Sequence, residues 1–259
     1  EAGTDGLVIA GSTGEAAMLD EAEYARILKL AVKRVAGRLP VLAGTGTAGT
    51  LKTLRQTRLA GDCGVAAALI VTPYYVRPTQ EGLYRHYLTI AEQAGLPVVL
   101  YNVPGRTGCD LKPETVARLK NHPGVVGIKE AVGEPDRVAD LLALQAEDFV
   151  VLSGDDPTAC VAMQAGANGV ISVAANVVPG PFAELCDHVR AGRSAQADAL
   201  DARLRPLYDI LGAEPNPIPV KWLLHRLGWC GPDPRLPLTP LSPALHARAE
   251  AVLAELTGP

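Results

Sequence analysis

The sequence predicts an α/β fold on a parallel sheet, either a (β/α)8 barrel or a doubly wound sheet. Two observations carry this expectation. Short runs rich in Val, Ile, Leu and Ala recur through the first 192 residues, with a helix-like segment between each run and the next. The runs are continuously apolar instead of alternating, as parallel strands covered on both faces require.

Strands are expected at 6–10, 40–43, 67–72, 97–101, 125–129, 149–153 and 169–173, and helices at 20–36, 50–61, 79–94, 113–121, 134–145, 157–165 and 179–191. Asp20 and Glu23 form a capping pair at the first helix, Gly37 and Gly95 follow helical patterns as stops, and Pro113 and Pro157 suit first-turn positions. Past residue 192 the alternation ends. Segments 194–212, 217–227 and 242–256 read as helices joined by the proline-rich connections around Pro215, Pro217, Pro219 and 231–240. The expected organisation is a barrel over 1–192 and a helical extension over 193–259. Glu1-Ala-Gly-Thr-Asp-Gly6 runs straight into the first strand and reads as a helix end plus a turn, without an initiator Met. An eighth strand, as part of a first β-α unit, is therefore expected before Glu1.

With 259 residues and 48% hydrophobic content, the chain can bury the core of one large domain. Its net charge of -4, with no basic block, argues against nucleic acid and anionic membrane as partners. Cysteines 63, 109, 160, 186 and 230 form no CxxC pair and read as reduced packing thiols of a cytoplasmic protein. No HxH or HExxH spacing occurs among the five histidines, so no metal centre is expected. Neither a membrane-length apolar run nor a signal leader is present in this sequence.

Lys129 closes the apolar run Val125-Val-Gly-Ile-Lys129. An ammonium there must be paired, hydrated or neutral, and the neutral form is a nucleophile. Tyr101 closes Pro97-Val-Val-Leu-Tyr101, and Arg106 follows in Asn102-Val-Pro-Gly-Arg106-Thr107. A lysine, a phenol and a guanidinium at strand ends suit a site that forms an imine, moves its protons and holds an anion. Gly11-Ser12-Thr13-Gly14-Glu15 reads both as a capping box, Ser12 capping and Glu15 reaching back, and as a carboxylate-binding loop. The two readings are compatible. Gly44-Thr-Gly46-Thr-Ala-Gly49 matches GxGxxG, but the acidic partner does not end the next strand, since Asp62 precedes it. These glycines read as turns around a barrel mouth. Tyr74-Tyr75 reads as packing, as an interface, or as a phenol reaching a pocket. In Asp155-Asp156-Pro157, Asp156 reads as a helix N-cap.

With these residues in place, the chain resembles the dihydrodipicolinate synthases (4-hydroxy-tetrahydrodipicolinate synthases) among the class I pyruvate-dependent aldolases. The matching stretches are GSTGE at 11–15, TPYYVRPTQEGLYRHY at 72–87, YNVPGRT at 101–107, GIKEA at 127–131, SGDD at 153–156, GANGVISVAAN at 166–176 and NPIPVKW at 216–222. The resemblance implies a (β/α)8 TIM barrel with a C-terminal helical extension, a homotetramer of two tight dimers, and no cofactor beyond the covalent imine. It implies condensation of pyruvate with L-aspartate 4-semialdehyde in lysine and diaminopimelate biosynthesis. Residue by residue, it makes Lys129 the Schiff-base lysine and Tyr101 the proton relay. Ser12 stands where the family usually has threonine, and Tyr75 matches a relay member supplied from the neighbouring subunit. Gly11 and Thr13 fall in the loop that holds the pyruvate carboxylate, Arg106 matches the semialdehyde-binding arginine, and Ile171 turns its carbonyl to the pyruvate pocket.

Ser12-Thr13 also occurs in N-acetylneuraminate lyases, whereas YNVPGRT and GIKEA separate the chain from them. The alternatives are a sibling aldolase acting on a 2-keto-3-deoxy sugar acid and a non-catalytic barrel that only binds a keto acid or a partner. Ala16, Ala48 and Lys52 beside Tyr74, where lysine-sensitive members carry polar and acidic residues, imply weak or absent inhibition by lysine.

Overall fold

A computed structural model describes residues 2–257. Seven parallel strands follow in sequence order: β1 (Leu7–Ile9), β2 (Val41–Gly44), β3 (Ala67–Val71), β4 (Val98–Asn102), β5 (Val125–Glu130), β6 (Val150–Ser153) and β7 (Gly169–Val170). Each pairs with its sequence neighbours, so a helix must cross over after every strand, as parallel pairing demands. Among the described residues β1 pairs only with β2 and β7 only with β6. The result is a curled, open α/β sheet of the TIM-barrel kind.

The crossover helices are α1 (Glu21–Val35), α2 (Thr50–Asp62), α3 (Gln80–Gln93), the short α4 (Pro104–Thr107), α5 (Pro113–Leu119), α6 (Pro135–Leu142), α7 (Asp156–Gln164) and α8 (Pro179–Arg190). Their ends follow local chemistry. Asp20 accepts from the Glu23 N–H at 2.8 Å and the Asp20 N–H reaches the Glu23 carboxylate at 3.1 Å, the reciprocal box expected there. Gly37 and Gly95 take positive φ, 74° and 68°, where α1 and α3 stop.

Three helices follow: α9 (Ser194–Leu211), α10 (Ile218–Arg226) and α11 (Pro243–Thr257). They share one apolar cluster with α7 and α8, in which Met163, Phe182 and Leu185 pack with Leu204, Tyr208, Trp222 and Leu253. The extension is thus fused to the last crossover helices. A second cluster, with Tyr87, Ile90, Leu100, Ile128 and Phe149, lies between sheet and helices. A smaller one, with Leu69, Val99 and Tyr101 buried and Val126 and Ile171 beside them, lies on the inner face of the sheet.

Two local expectations are corrected. The Ser12–Glu15 capping box does not form: Glu15 sits at φ 56° and its carboxylate turns to Lys221 and the Arg235 N–H instead. A buried carboxylate is better satisfied by an ammonium than by its own turn. The N-cap of α7 is Asp155, while Asp156 opens the helix and accepts from the N–H groups of Val173 (3.1 Å) and Ala174 (2.8 Å). β7 stops at Val170 instead of running to 173; the Ile171 N–H still reaches the Ser153 carbonyl, and the next N–H groups with side-chain partners, those of Val173 and Ala174, go to Asp156.

Candidate active site

Two strand ends bring the central pair together. Tyr101 on β4 and Lys129 on β5 are Cα partners, and the Lys129 nitrogen lies 4.2 Å from the centroid of the Tyr101 ring. Strand alternation alone would not place them so. Val125 and Ile128 both pack on the helix side of the sheet, three residues apart, which simple period-2 alternation forbids. The register shifts between Val98 and Val99, whose partners are Val125 and Gly127, so β5 carries one extra residue, Val126. This bulge flips the facing of the rest of β5 and turns Lys129 inward.

Lys129 is 8% exposed. Burial lowers its pKa to about 8, opposed by the Asp156 carboxylate and reinforced by the Arg106 cation. An ordinary lysine is about 0.04% neutral at pH 7, and each unit of lowering raises that fraction about tenfold. Gly154 leaves room for the lysine stem: a Cβ there would lie 2.8 Å from Lys129 Cε and 3.0 Å from Cγ.

Burial raises the Tyr101 phenol pKa, while the Arg106 charge and a hydrogen bond with Ser12 pull the other way. Ser12 and Tyr101 therefore form a hydroxyl pair at the mouth. Gly11 opens the same loop, its carbonyl accepting from Gly14 (3.1 Å) and Ala16 (3.3 Å). Gly44, across from it, has no room for a side chain, because a Cβ would lie 2.1 Å from the Ala10 carbonyl oxygen. Gly44, the last residue of β2, thus permits close approach of β1, and Gly46, whose Cβ would lie 2.6 Å from the Val71 nitrogen, that of β3, while a Cβ on Gly49 would meet nothing within 4 Å. Thr13 Oγ1 accepts from Asn216 Nδ2 at 2.9 Å, and Arg106 Nη1 donates to the Asn216 carbonyl at 3.1 Å. Ile171 packs in the inner cluster with Tyr101, its N–H on the Ser153 carbonyl at 2.9 Å.

Within one chain, the structure brings Lys129, Tyr101, Ser12 and Ile171 to one end of the sheet, with Arg106 acting on the first two and touching Thr13's partner. Tyr75 is not part of this group: it is 90% exposed at φ 74° on the loop after β3. Sequence reasoning passed over Asn216, Gly154, and the role of Asp156 facing Lys129. All three lie inside stretches that match the family, but nothing in their spacing links them to the site.

Among the described residues, no group of three or more His, Cys, Asp or Glu could hold a metal, and no helix is long and apolar enough to cross a membrane. Four of the five cysteines are buried and Cys230 is exposed.

The comparisons with known proteins agree with this geometry. A model of the dihydrodipicolinate synthetase family matches residues 1–256. The chain is 56% identical over 256 residues to a 4-hydroxy-tetrahydrodipicolinate synthase of Stenotrophomonas maltophilia, covering 99% of this chain and 86% of that protein. It is 58% identical over 253 residues to one of Xanthomonas axonopodis pv. citri, covering 98% and 83%. Among solved structures it resembles the chloride-inhibited dihydrodipicolinate synthase of Acinetobacter baumannii complexed with pyruvate, with TM-score 0.96, 44% identity, and 98% and 88% of the two chains covered. Inward-facing Lys129 against Tyr101, on this sheet and with this agreement along nearly the whole chain, establishes that the protein belongs to the dihydrodipicolinate synthetase family.

Proposed function

We propose that the site condenses pyruvate with L-aspartate 4-semialdehyde to 4-hydroxy-tetrahydrodipicolinate, with Lys129 as the nucleophile. The observation that carries this reading is the buried Lys129 amine, its pKa near 8, set against the Tyr101 ring. The neutral amine adds to the pyruvate ketone. Loss of water then gives the imine, and that step needs a proton delivered to the departing oxygen. Tyr101 and Ser12 are placed to carry it, with Tyr75 of a second copy completing the relay. The relay reading thus calls for at least a dimer, and the family resemblance for a homotetramer of two tight dimers.

Gly11 and Thr13 hold the keto-acid carboxylate, and Ile171 lines the pocket. Arg106, a fixed fork of donors, takes the carboxylate of the second substrate, which a lysine would grip less specifically. No cofactor enters this scheme, because the imine nitrogen is itself the electron sink. The barrel, residues 1–192, supplies the reacting groups, and the extension, 193–259, braces their loops. We place the enzyme in the cytoplasm, in lysine and diaminopimelate biosynthesis.

Cyanoborohydride reduction in the presence of pyruvate is expected to leave a three-carbon adduct on Lys129. A folded chain that takes up no adduct overturns the mechanism. Turnover of pyruvate with the semialdehyde, against none with 2-keto-3-deoxy sugar acids, separates this reading from the sibling aldolases.

A further inference from the structure

One residue beyond the Tyr101–Lys129 pair, the strands end in a second Cα pair, Asn102 and Glu130. These two face the other side of the sheet, and both are buried, at 0% and 5% exposure. Asn102 Nδ2 donates to both Glu130 oxygens, at 3.1 and 3.0 Å. Glu130 Oε1 also accepts from the Val132 N–H at 2.8 Å. Asn102 Nδ2 reaches Asp110 Oδ1 at 2.8 Å, and its own oxygen accepts from the Leu111 N–H at 2.9 Å. Arg137, at the start of α6, closes the group, 2.6 Å from Asp110 and 3.9 Å from Glu130.

A buried polar network of this kind has a high cost unless it is satisfied, so its presence directly behind the reacting pair calls for a reason. Its position supplies one. Because of the bulge, only three ladder pairs separate the register shift from the clamp, and Tyr101–Lys129 is the last of them. Past the clamp both chains leave the sheet. The Glu130 carbonyl also accepts from the Gly154 N–H at 2.6 Å, drawing Gly154 against the Lys129 stem.

We propose that the Asn102–Glu130 clamp is a positioning pair, fixing the ends of β4 and β5 so that the Lys129 amine and Tyr101 phenol stay at reacting separation. This rests on the reading of Lys129 as the imine-forming residue. The clamp is complete only while Glu130 is ionised, when both of its oxygens accept from Asn102 and one also from Val132; a proton turns one of them into a donor. Burial raises Glu130's pKa to about 7, with Asn102, Val132 and Arg137 pulling it down and Asp110 pushing it up. The charged groups facing it are Arg137 from α6 and Asp110 from the segment after α4. Those acting on Lys129 are Asp156 from α7 and Arg106 from α4.

The test is the rate of cyanoborohydride capture of pyruvate on the full chain, followed from about pH 5.5 to 9, with fold checked by circular dichroism. Wild type is expected to lose rate in step with one proton between about pH 8 and 7 and with two protons below about 7. Glu130→Gln is expected to react about 10- to 100-fold more slowly at pH 8 and to keep a one-proton dependence throughout. A purely structural role would lower the rate without changing the proton count. A Glu130→Gln chain with wild-type rate and wild-type proton dependence overturns the clamp while leaving the Lys129 reading intact. No adduct on folded wild type overturns the Lys129 reading and the clamp with it. Should Glu130→Gln fail to fold, Asn102→Asp decides instead: it removes the donor, so the second proton step must move upward, and an unmoved step overturns the proposal.

Discussion

The Lys129 amine stands 4.2 Å above the Tyr101 ring because both residues occupy the same rung of the β4–β5 ladder, past a one-residue bulge. A buried amine over an aromatic face is attracted when charged, yet the loss of hydration outweighs that attraction, and its pKa falls to about 8. The reactive neutral form is therefore favoured by the fold itself. Lysine in free chain keeps its proton to the usual 10.5. Between the two values the unfolded state binds the extra proton, so stability rises with pH from about 8 toward 10.5, and burial of Lys129 is a net cost below that window. Lys129→Met, measured by denaturant titration at pH 7, is expected to be more stable than wild type by about 1–3 kcal/mol while losing every trace of pyruvate adduct.

Arg106 acts on two partners, and its removal is expected to show both. Arg106→Ala should abolish turnover with the semialdehyde while retaining pyruvate capture at high pH. Because the Arg106 cation helps to lower the Lys129 pKa, its loss should move the acid limb of capture upward. Steady-state kinetics with the second substrate and capture rates against pH separate the two effects. Unchanged turnover would remove Arg106 from the site.

The Ser12 hydroxyl lies near enough to the Tyr101 phenol to help lower its pKa. Tyr101→Phe keeps the ring against Lys129 but deletes the proton, and a positioned proton donor is typically worth about 10²- to 10⁴-fold. Ser12→Ala is expected to slow capture less. Ser12→Thr should match or exceed wild type, since the added methyl restricts χ1 without removing the hydroxyl. Rapid-quench measurement of imine formation checks the order: Ser12→Thr fastest or equal to wild type, Ser12→Ala slower, and Tyr101→Phe slowest.

Gly154→Ala tests the space around the amine. The new Cβ would fall 2.8 Å from Lys129 Cε, 3.0 Å from its Cγ and 3.2 Å from the Glu130 carbonyl oxygen, so the lysine stem must shift to make room. The displaced amine then reacts more slowly, by about 10-fold or more, with melting temperature close to wild type. A normal capture rate would show that the stem has slack.

The strands and helices were readable because apolar runs and caps are local signals: the box at Asp20–Glu23 and the stops at Gly37 and Gly95 all lie within one turn of the ends they mark. Lys129 and Tyr101 stood out because a polar group closing a buried strand has few uses, and Arg106 because it follows closely after one of them. What the sequence concealed is long-range or depends on register. The bulge at Val126 leaves no trace in a run of apolar residues, yet it decides which face Lys129 takes. Asn102 and Glu130 stand beside the residues that drew notice, but their clamp appears only when β4 and β5 are aligned. Glu15 reads locally as a capping residue, whereas its partners Lys221 and Arg235 lie more than 200 positions away.

That last contact gives the extension a measurable task. Glu15 is 5% exposed in the loop that carries Gly11, Ser12 and Thr13, and Lys221 on α10 reaches it. Burial alone would raise the Glu15 pKa. The hydrogen bond from Lys221 and the Arg235 N–H outweigh burial and hold it below its ordinary 4.5. A carboxylate with a lowered folded pKa contributes stability above its unfolded value, and the contribution fades as pH falls through the folded one. Lys221→Met leaves the carboxylate buried beside one N–H, and is expected to cost about 1–3 kcal/mol at pH 7, the partial exposure of Lys221 keeping it below the full penalty of a broken buried pair. Thermal melts should show the gap between variant and wild type closing as pH falls below the ordinary 4.5 and through the lowered value of folded Glu15. Because the loop also positions Ser12 against Tyr101, the same variant should capture pyruvate more slowly at pH 8. A Lys221→Met chain that melts like wild type at neutral pH would mean that Arg235 alone holds the loop.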